Sequence, residues 1–388
     1  MANYAIDGRF LMRKQRGMPV YVYMVCSHLP IHMPDDHFYI LVNSDFEHNE
    51  KEADYKSRIE NVSNLTNVTI IDLKAEDETS WELSIVTRWL KKNPIELLHM
   101  PTNRVLINSN VKQLVTLHDA MEWKFLTRIH HIPDNANFKT KLYFLKKRLY
   151  VWLVYSYGLR KAKKIMTISK AAMKSISQEF TFSSKKMDFV YHGVPFNYVP
   201  CSEHKNKDTR QNVLMLGGDS YQKNPENAIA AYAKLPQSTR KKHKLVIAGF
   251  TGNNNSIIKK TIKKLSIEDY VEIHTWVSEI TLVNLFQRSV ALLFVSREEG
   301  FGFPLIQSMA VGTPVVTSNA DVLIEITQKK LLHAPAESAT EISEKLMILL
   351  EDEEIWNEQR EKCLDLAKPF CWSHSMDKLA ITYKEITQ

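Results

Sequence analysis

Residues 299–319, EGFGFPLIQSMAVGTPVVTSN, constrain the fold of this chain more than any other segment. Gly300 and Gly302 permit positive φ and a close approach of the backbone to a ligand. Pro304 suits the first turn of a helix, which we predict to run to Ala310. A Gly-Thr-Pro turn and a short Val-Val-Thr strand follow. This succession of loop, helix and strand indicates an α/β protein with a ligand site at the loop.

The start of this helix predicts an anion site. The amides of Gly302, Phe303 and Leu305 would point outward as unpaired donors, and such a helix start attracts phosphate. The competing interpretation is ordinary α/β packing, because a helix after a glycine turn often binds nothing.

Written as EGFGxPxxxxMAxGTPVVxSN, the same segment resembles the signature of retaining glycosyltransferases of sequence family 4, which have the GT-B fold. The resemblance implies that Glu299 contacts hydroxyls of the transferred sugar and that position 307 hydrogen-bonds the nucleotide ribose. The family has an acidic residue there, whereas this chain has Gln307. Its amide can still bond a diol, without charge-assisted strength. The other donor-binding residues that the resemblance implies here are Gly300, Phe301, Gly302, Phe303 and Leu305.

Strand and helix patterns alternate along all 388 residues, a length that favours two domains. The predicted strands are residues 38–43, 68–72, 96–100, 113–118 and 164–168, then 213–217, 244–249, 271–274, 290–295 and 313–317. With the resemblance, the fold class is α/β of the GT-B type, two Rossmann-like parallel-sheet domains facing a central cleft. We expect an acceptor-binding domain at 1–200, a nucleotide-sugar-binding domain at 201–368, and a C-terminal helix at 369–388 that crosses back to the first domain. Trp372, Leu379 and Tyr383 form its predicted apolar face.

In the first predicted domain, the strand at 113–118 ends in His118, followed by Asp119. Open α/β sheets present ligands at the carboxyl ends of their strands. The resemblance implies that His118 hydrogen-bonds the donor sugar near the reacting centre, and we place Asp119 on the acceptor side. A packed structural histidine is the alternative. The loop after IDGRF resembles the family's glycine-rich loop, so Gly17 would approach the donor diphosphate; a plain strand-to-helix loop is the alternative.

In the second predicted domain, residues 214–224 read LMLGGDSYQKN. Lys223 and Asn224 match a Lys-Asn pair of the family, while an earlier basic position falls on Gly218. The resemblance therefore makes Lys223 the principal charge for the diphosphate, with Arg297 as a second cation. An exposed lysine in a turn is the competing interpretation.

Several classes of protein are disfavoured. The four cysteines lack metal-ligand spacing, so neither a zinc site nor a disulfide framework is indicated. With the resemblance, we expect no metal and no cofactor, the nucleotide-diphospho-sugar being a substrate. The N-terminus lacks the pattern of a secretory signal, and no apolar run approaches the ~18 residues of a spanning helix. We therefore expect a cytoplasmic protein.

Lys139 and Lys170 bound a stretch with ten Lys or Arg residues and no acidic one, interleaved with aromatic residues. Cations near an acidic bilayer favour binding, and aromatic side chains suit its interface. The stretch predicts peripheral docking on an anionic, cytoplasmic membrane face beside a lipid-linked acceptor; a solvated helix face is the alternative. No nucleic-acid-binding motif accompanies the charge.

The resemblance thus implies a retaining transferase that moves a hexosyl unit (mannose, rhamnose, glucose or similar) from a nucleotide-diphospho-sugar to a saccharide or lipid-linked oligosaccharide in surface polysaccharide assembly. Glu299 and His118 would orient the sugar, and front-face attack would leave the acceptor's proton on the departing phosphate. Two alternatives stay open. They are a nucleotide-sugar epimerase of the same fold and a catalytically weak nucleotide-sugar-binding scaffold subunit, which Gln307 and Gly218 keep open.

Overall fold

A computed structural model describes residues 1–13, 17–45, 52–124, 138–180, 184–249 and 256–388. The chain forms two compact units. Unit 1 contains residues 1–192 and 372–388, and unit 2 contains residues 193–371.

Unit 1 is built on a parallel sheet of seven strands in the order β3-β2-β1-β4-β5-β6-β7. Its strands are β1 Asn3–Asp7, β2 His37–Val42, β3 Val68–Asp72, β4 Leu97–Met100, β5 Lys112–Leu117, β6 Lys164–Thr167 and β7 Met187–Phe189. Its helices up to β7 are α1 Met18–His32, α2 Glu52–Ser63, α3 Glu78–Ser80, α4 Val86–Leu90, α5 Met121–Lys124, α6 Phe138–Leu153, α7 Leu159–Lys161 and α8 Lys170–Glu179. Wider π-helical turns span Trp81–Ile85 and Val154–Gly158, and 3-10 turns span Arg9–Met12 and Ser184–Lys186.

Unit 2 repeats this arrangement with six parallel strands in the order β10-β9-β8-β11-β12-β13. The strands are β8 Asn212–Leu216, β9 Leu245–Ala248, β10 Val271–His274, β11 Ser289–Phe294, β12 Val315–Ser318 and β13 Leu332–Ala334. The helices are α9 Pro225–Ala233, α10 Gln237–Lys242, α11 Ile257–Lys264, α12 Glu279–Arg288, α13 Phe303–Ala310, α14 Asp321–Thr327, α15 Ala339–Glu351 and α16 Glu353–Ala367. Short 3-10 turns lie at Ser202–His204, Lys207–Thr209, Tyr221–Lys223 and Glu268–Tyr270.

The last helix, α17 Trp372–Thr387, belongs to unit 1, where it packs on α1. Trp372, Leu379 and Tyr383 are buried on its inner face, as their helical spacing predicts. Tyr383 donates or accepts a hydrogen bond of 2.8 Å with Nδ1 of the buried His99 on β4. The final helix is therefore part of the first domain's core.

The predicted α/β class is confirmed, and every predicted strand is present within two residues of its expected bounds. Central strands such as β9 and β11 are wholly buried, because helices cover both faces of a parallel sheet. The strands β1, β7 and β13 were not predicted. The last two have only three residues each, too few to show a period. Within the described ranges, no helix combines the length and apolarity that crossing a bilayer requires.

Candidate active site

The candidate site of unit 2 lies where the strand order of its sheet reverses. Strands β8 and β11 are neighbours there, with Leu214 opposite Leu292 and Met215 opposite Leu293. Their following loops carry Lys223 and Glu299 respectively. Because both strands are parallel, these loops emerge at the same edge of the sheet, at the position where open α/β sheets bind ligands.

Lys223 and Glu299, 76 residues apart in sequence, form an ion pair. Lys223 Nζ donates to Glu299 Oε1 at 2.6 Å. The lysine side chain is 32% exposed and the glutamate side chain 9%. Lys223 Nζ also lies 5.7 Å from the ring centre of the buried Phe294. The sequence predicts both residues for the site but does not predict that each is the other's partner.

The backbone around Lys223 is fixed by its neighbours. Asn224 adopts a left-handed conformation with φ 54°, which asparagine tolerates better than most residues. Its fully buried amide donates to the Val295 carbonyl at 2.9 Å and to the Ala336 carbonyl at 2.6 Å. The prediction that the Asn224 side chain contacts the donor is therefore revised, because both amide donations are made within the domain. Asn224 positions Lys223 instead.

Arg297 stabilises the same loop from the other side. Its Nη1 donates to the Tyr221 carbonyl at 2.7 Å, and its guanidinium lies 4.2 Å from the centre of the Tyr221 ring. Its Nε and Nη2 donate to the carboxylate of Glu337, at 2.5 and 3.1 Å. The hydrogen bond that Arg297 donates to Glu337 raises the pKa of Arg297 and lowers the pKa of Glu337. Contact of Arg297 with a diphosphate stays a prediction.

The start of α13 depends on Gly302. This glycine has φ 93°, whereas Gly300 does not adopt positive φ. A Cβ atom at Gly302 would lie 3.0 Å from Leu323 Cδ2, so both conformation and space favour glycine. The Leu305 amide donates to the Gly302 carbonyl at 3.0 Å. The prediction of an unpaired Leu305 amide is therefore wrong, because the first turn of the helix closes on that amide.

Side chains around this helix start are mostly part of the core. Phe301 and Leu305 are buried, and the Phe301 ring makes edge contacts with Phe303 and Phe370 at centroid distances of 5.8 and 5.9 Å. Any donor contact by Phe301 or Leu305 would therefore involve the backbone. The half-buried Phe303 lies at the first helical position.

Gln307 is half-buried on α13, beside the hydroxyl of Tyr198. Burial raises the pKa of Tyr198, and its interaction with Gln307 opposes that shift. The Tyr198 ring also makes an edge contact with Phe286 on α12. Sequence reasoning missed Tyr198, since it lies more than 100 residues from Gln307 and carries no motif of its own.

In unit 1, His118 follows β5 directly and is buried. Its Nε2 lies 2.9 Å from the Pro101 carbonyl, so Nε2 carries the proton and Nδ1 holds a lone pair. The Asn103 side-chain oxygen accepts from the His118 amide at 2.6 Å. Burial lowers the pKa of His118 to about 4. The imidazole is therefore neutral near pH 7.

Aromatic rings hold the imidazole of His118. The Tyr21 ring meets it edge-on at 5.1 Å, and the His192 ring lies at 5.6 Å. The Tyr21 hydroxyl lies 3.0 Å from Thr116 Oγ1, which lies 2.8 Å from His99 Nε2. Sequence reasoning missed Tyr21, His99 and His192, because they come from three distant segments.

Two further predicted residues lie near the carboxyl end of the first sheet. Gly17 has φ 61° and precedes α1, and a Cβ atom there would meet nothing within 4 Å. Its neighbour Arg16 lies outside the described residues. Asp119 follows His118 and is half-buried. Their contacts with a diphosphate and an acceptor stay predictions.

Over the ranges that the structure describes, no three His, Cys, Asp or Glu side chains are grouped in a way that could hold a metal ion. All four cysteines are free thiols, two of them buried. The independence of metals and cofactors stays a prediction.

Residues 202–368 match the sequence model of the family glycosyl transferases group 1. The chain is 25% identical to O-antigen chain mannosyltransferase B of Escherichia coli over 236 residues, 58% of this chain and 62% of that protein. The match thus spans less than two thirds of the relative. Sucrose-phosphate synthase from Thermosynechococcus elongatus superposes with a TM-score of 0.72 at 15% identity, covering 100% of this chain and 99% of that one.

Anabaena Alr3699/HepE, solved with UDP and glucose, superposes with a TM-score of 0.71 at 15% identity and covers 99% of both chains. At such identities the likeness shows the fold alone. The chain therefore has the GT-B fold, and its residues 202–368 match the model of the glycosyl transferases group 1 family.

Proposed function

We propose that this chain is a retaining hexosyltransferase that uses a nucleotide-diphospho-sugar and a saccharide or lipid-linked oligosaccharide acceptor. The observation that carries the proposal is the Lys223–Glu299 pair of 2.6 Å at the strand-order reversal of the matched domain. A carboxylate and a cation in contact suit a donor that presents hydroxyl groups and a diphosphate side by side.

The pair leaves room for a diphosphate. A lysine ammonium has three donors, and Glu299 takes one of them. The other two can bind phosphate oxygens while the pair persists. The amino end of α13 adds a positive field to the same loop. Together they would stabilise the charge that develops on the departing diphosphate.

Glu299 would orient the sugar rather than attack it. Its carboxylate accepts a short hydrogen bond from Lys223, which stabilises the anion and lowers its nucleophilicity. Acceptor attack on the same face as the departing phosphate, with that phosphate taking the proton, requires no protein nucleophile. Neutral His118 would accept a hydrogen bond from a sugar hydroxyl at Nδ1, because its Nε2 is engaged with Pro101.

The first candidate donor is a nucleotide-diphospho-mannose, because one similar protein is O-antigen chain mannosyltransferase B. The second is a UDP-hexose, because a protein of similar structure was solved with UDP and glucose. Polysaccharide assembly at the cytoplasmic face of a membrane is the corresponding setting. Four free cysteines suit a reducing compartment.

The test is nucleotide release from a panel of nucleotide-diphospho-hexoses, with and without saccharide acceptors. A transferase releases nucleotide diphosphate only when donor and acceptor are both present. Donor conversion without acceptor would identify an epimerase. Donor binding without nucleotide release would identify a scaffold. That candidate stays open because Gln307 stands where the family has a second acidic residue. Glu299→Gln should abolish most release, and Glu298→Gln, its exposed neighbour, is the matched control.

A further inference from the structure

Helix α6 carries a row of exposed apolar side chains. Phe138, Leu142, Leu145, Leu149 and Trp152 are 79%, 39%, 61%, 57% and 50% exposed. Their spacing of four, three, four and three residues puts them on one face of the helix. This row, here called the α6 stripe, runs the length of the helix. A continuous exposed apolar face marks an interaction surface.

The opposite side of α6 is anchored in unit 1. Val151 is buried, and the Tyr150 hydroxyl donates to the carboxylate of Glu82. Glu82 is itself buried and accepts from Arg9 Nη2 at 2.7 Å. These contacts fix the rotation of α6 about its axis, so that the α6 stripe faces away from the core of unit 1.

The residues that flank the α6 stripe are all cationic in its first two heptads. If the stripe occupies the a and d positions of a heptad, the e and g positions are 139, 141, 146 and 148, which are Lys, Lys, Lys and Arg. In a pairing of two such helices these positions meet one another. Two copies of α6 would therefore bring like charges together, which disfavours a second copy of this chain as the occupant.

Basic residues flanking an apolar face suit an anionic lipid surface. We propose that α6 lies in the interface of an anionic bilayer, with the α6 stripe at the acyl boundary and the exposed Lys146 beside it among the headgroup phosphates. This narrows the predicted stretch of residues 139–170 to a single helix. Lys161, in the second half of that stretch, donates to the Ile107 carbonyl at 2.8 Å instead. The proposal does not depend on sugar transfer.

The test is sedimentation of the full chain with vesicles of phosphatidylcholine, with and without phosphatidylglycerol in about one lipid of three. Leu145→Gln combined with Leu149→Gln should lower binding to the anionic vesicles about tenfold or more. The matched control is Ile31→Gln combined with Ile381→Gln. These residues are 58% and 60% exposed but lie on α1 and α17, so binding should be unchanged.

A second pair of variants isolates charge. Lys146→Gln removes a cation beside the α6 stripe and should weaken binding about fivefold at low salt. Lys147→Gln removes the next cation along the helix, which is exposed but does not adjoin the stripe, and should have a smaller effect. Nucleotide-sugar binding should persist in all variants.

Several outcomes would overturn the proposal. One is unchanged vesicle binding by the double-leucine variant; another is equal binding to neutral and anionic vesicles. A dimer of the wild type, lost in the double-leucine variant and indifferent to lipid, would assign the α6 stripe to a second copy. If the wild type binds no vesicles at any ionic strength, α6 is an ordinary solvent-exposed helix.

Discussion

The two domains share one strand order but place their charges differently at the carboxyl ends of their strands. In unit 2, Lys223 and Glu299 form a pair whose lysine is one-third exposed. In unit 1, Arg9 follows β1 and lies between Asp7 at 3.0 Å and Glu82 at 2.7 Å, with all three side chains buried. An accessible pair can exchange partners with a ligand. A buried one fixes its surroundings.

The polar groups of unit 1 are engaged with one another in the same way. Tyr21, Thr116, His99 and Tyr383 form a buried chain of contacts of 2.8 to 3.0 Å that joins α1, two strands and α17. Burial lowers the pKa of both His99 and His118. The contrast indicates that the buried polar groups of unit 1 are occupied by one another, whereas the Lys223–Glu299 pair of unit 2 remains accessible to a ligand.

The largest expected effect separates the two kinds of ion pair. Arg9→Met leaves the buried Asp7 without its cation and Glu82 with only the more distant Arg104, at 3.5 Å. It should cost about 3–5 kcal/mol of unfolding free energy. Arg297→Met removes an ion pair with Glu337, a side chain that is 65% exposed, and should cost about 1 kcal/mol. Urea denaturation of both variants measures the difference.

A compensated variant sharpens this comparison. Arg9→Met together with Asp7→Asn removes the stranded charge while Glu82 keeps Arg104, and should recover part of the lost stability. Equal losses for Arg9→Met and Arg297→Met would contradict the distinction between the two domains.

The next effect concerns catalysis in unit 2. Glu299→Ala should lower turnover about a hundredfold, equivalent to ~2.7 kcal/mol of transition-state stabilisation. Nucleotide binding should survive, because Lys223 loses a partner and keeps its charge. The stability loss should be at most about 1 kcal/mol, since the pair is partly exposed. Steady-state kinetics beside nucleotide titration checks both parts, and wild-type turnover would refute the role of Glu299.

The sequence predicted unit 2 better than unit 1, for a physical reason. The segment 299–319 is contiguous, so one motif carries a carboxylate, a glycine turn and a helix start together. The packing around His118 instead joins Tyr21, His192 and Trp372 from distant parts of the chain. Local periodicity predicts strands but not such long-range contacts.

Burial is the other property that a motif does not reveal. Asn224 matches the family pattern, yet its side-chain amide donates both of its hydrogen bonds to the Val295 and Ala336 carbonyls. Tyr198 matches no motif, yet it lies beside Gln307. Which polar side chain faces a ligand depends on contacts made after the strands are assembled.

A smaller effect concerns the pH dependence of stability through the buried histidines of unit 1. The pKa of His118 is lowered to about 4 and that of His99 to about 3, from 6.5, chiefly by burial. The unfolded state therefore binds more protons as pH falls below 6.5. Stability present above pH 6.5 should be lost toward the folded pKa values, at about 1 kcal/mol per histidine and pH unit.

Denaturation of the wild type and His118→Asn at a series of pH values between 7 and about 5 checks this slope. The variant should show a shallower pH dependence by about one proton. An identical slope would mean that His118 does not titrate on unfolding in this range.

The smallest expected effect is at Gln307, which lies in unit 2, the domain with the accessible ion pair. Gln307→Glu should be tolerated, with a change in donor affinity under about fivefold, or about 1 kcal/mol. The side chains have the same length, position 307 is half-buried, and the Tyr198 hydroxyl can donate to a carboxylate there. Calorimetric titration of nucleotide measures the change in affinity. The proteins compared are the wild type, Gln307→Glu, and the double variant Gln307→Glu with Tyr198→Phe. If Gln307→Glu abolishes nucleotide binding while the protein stays folded, the geometry at position 307 differs from the proposed ribose contact.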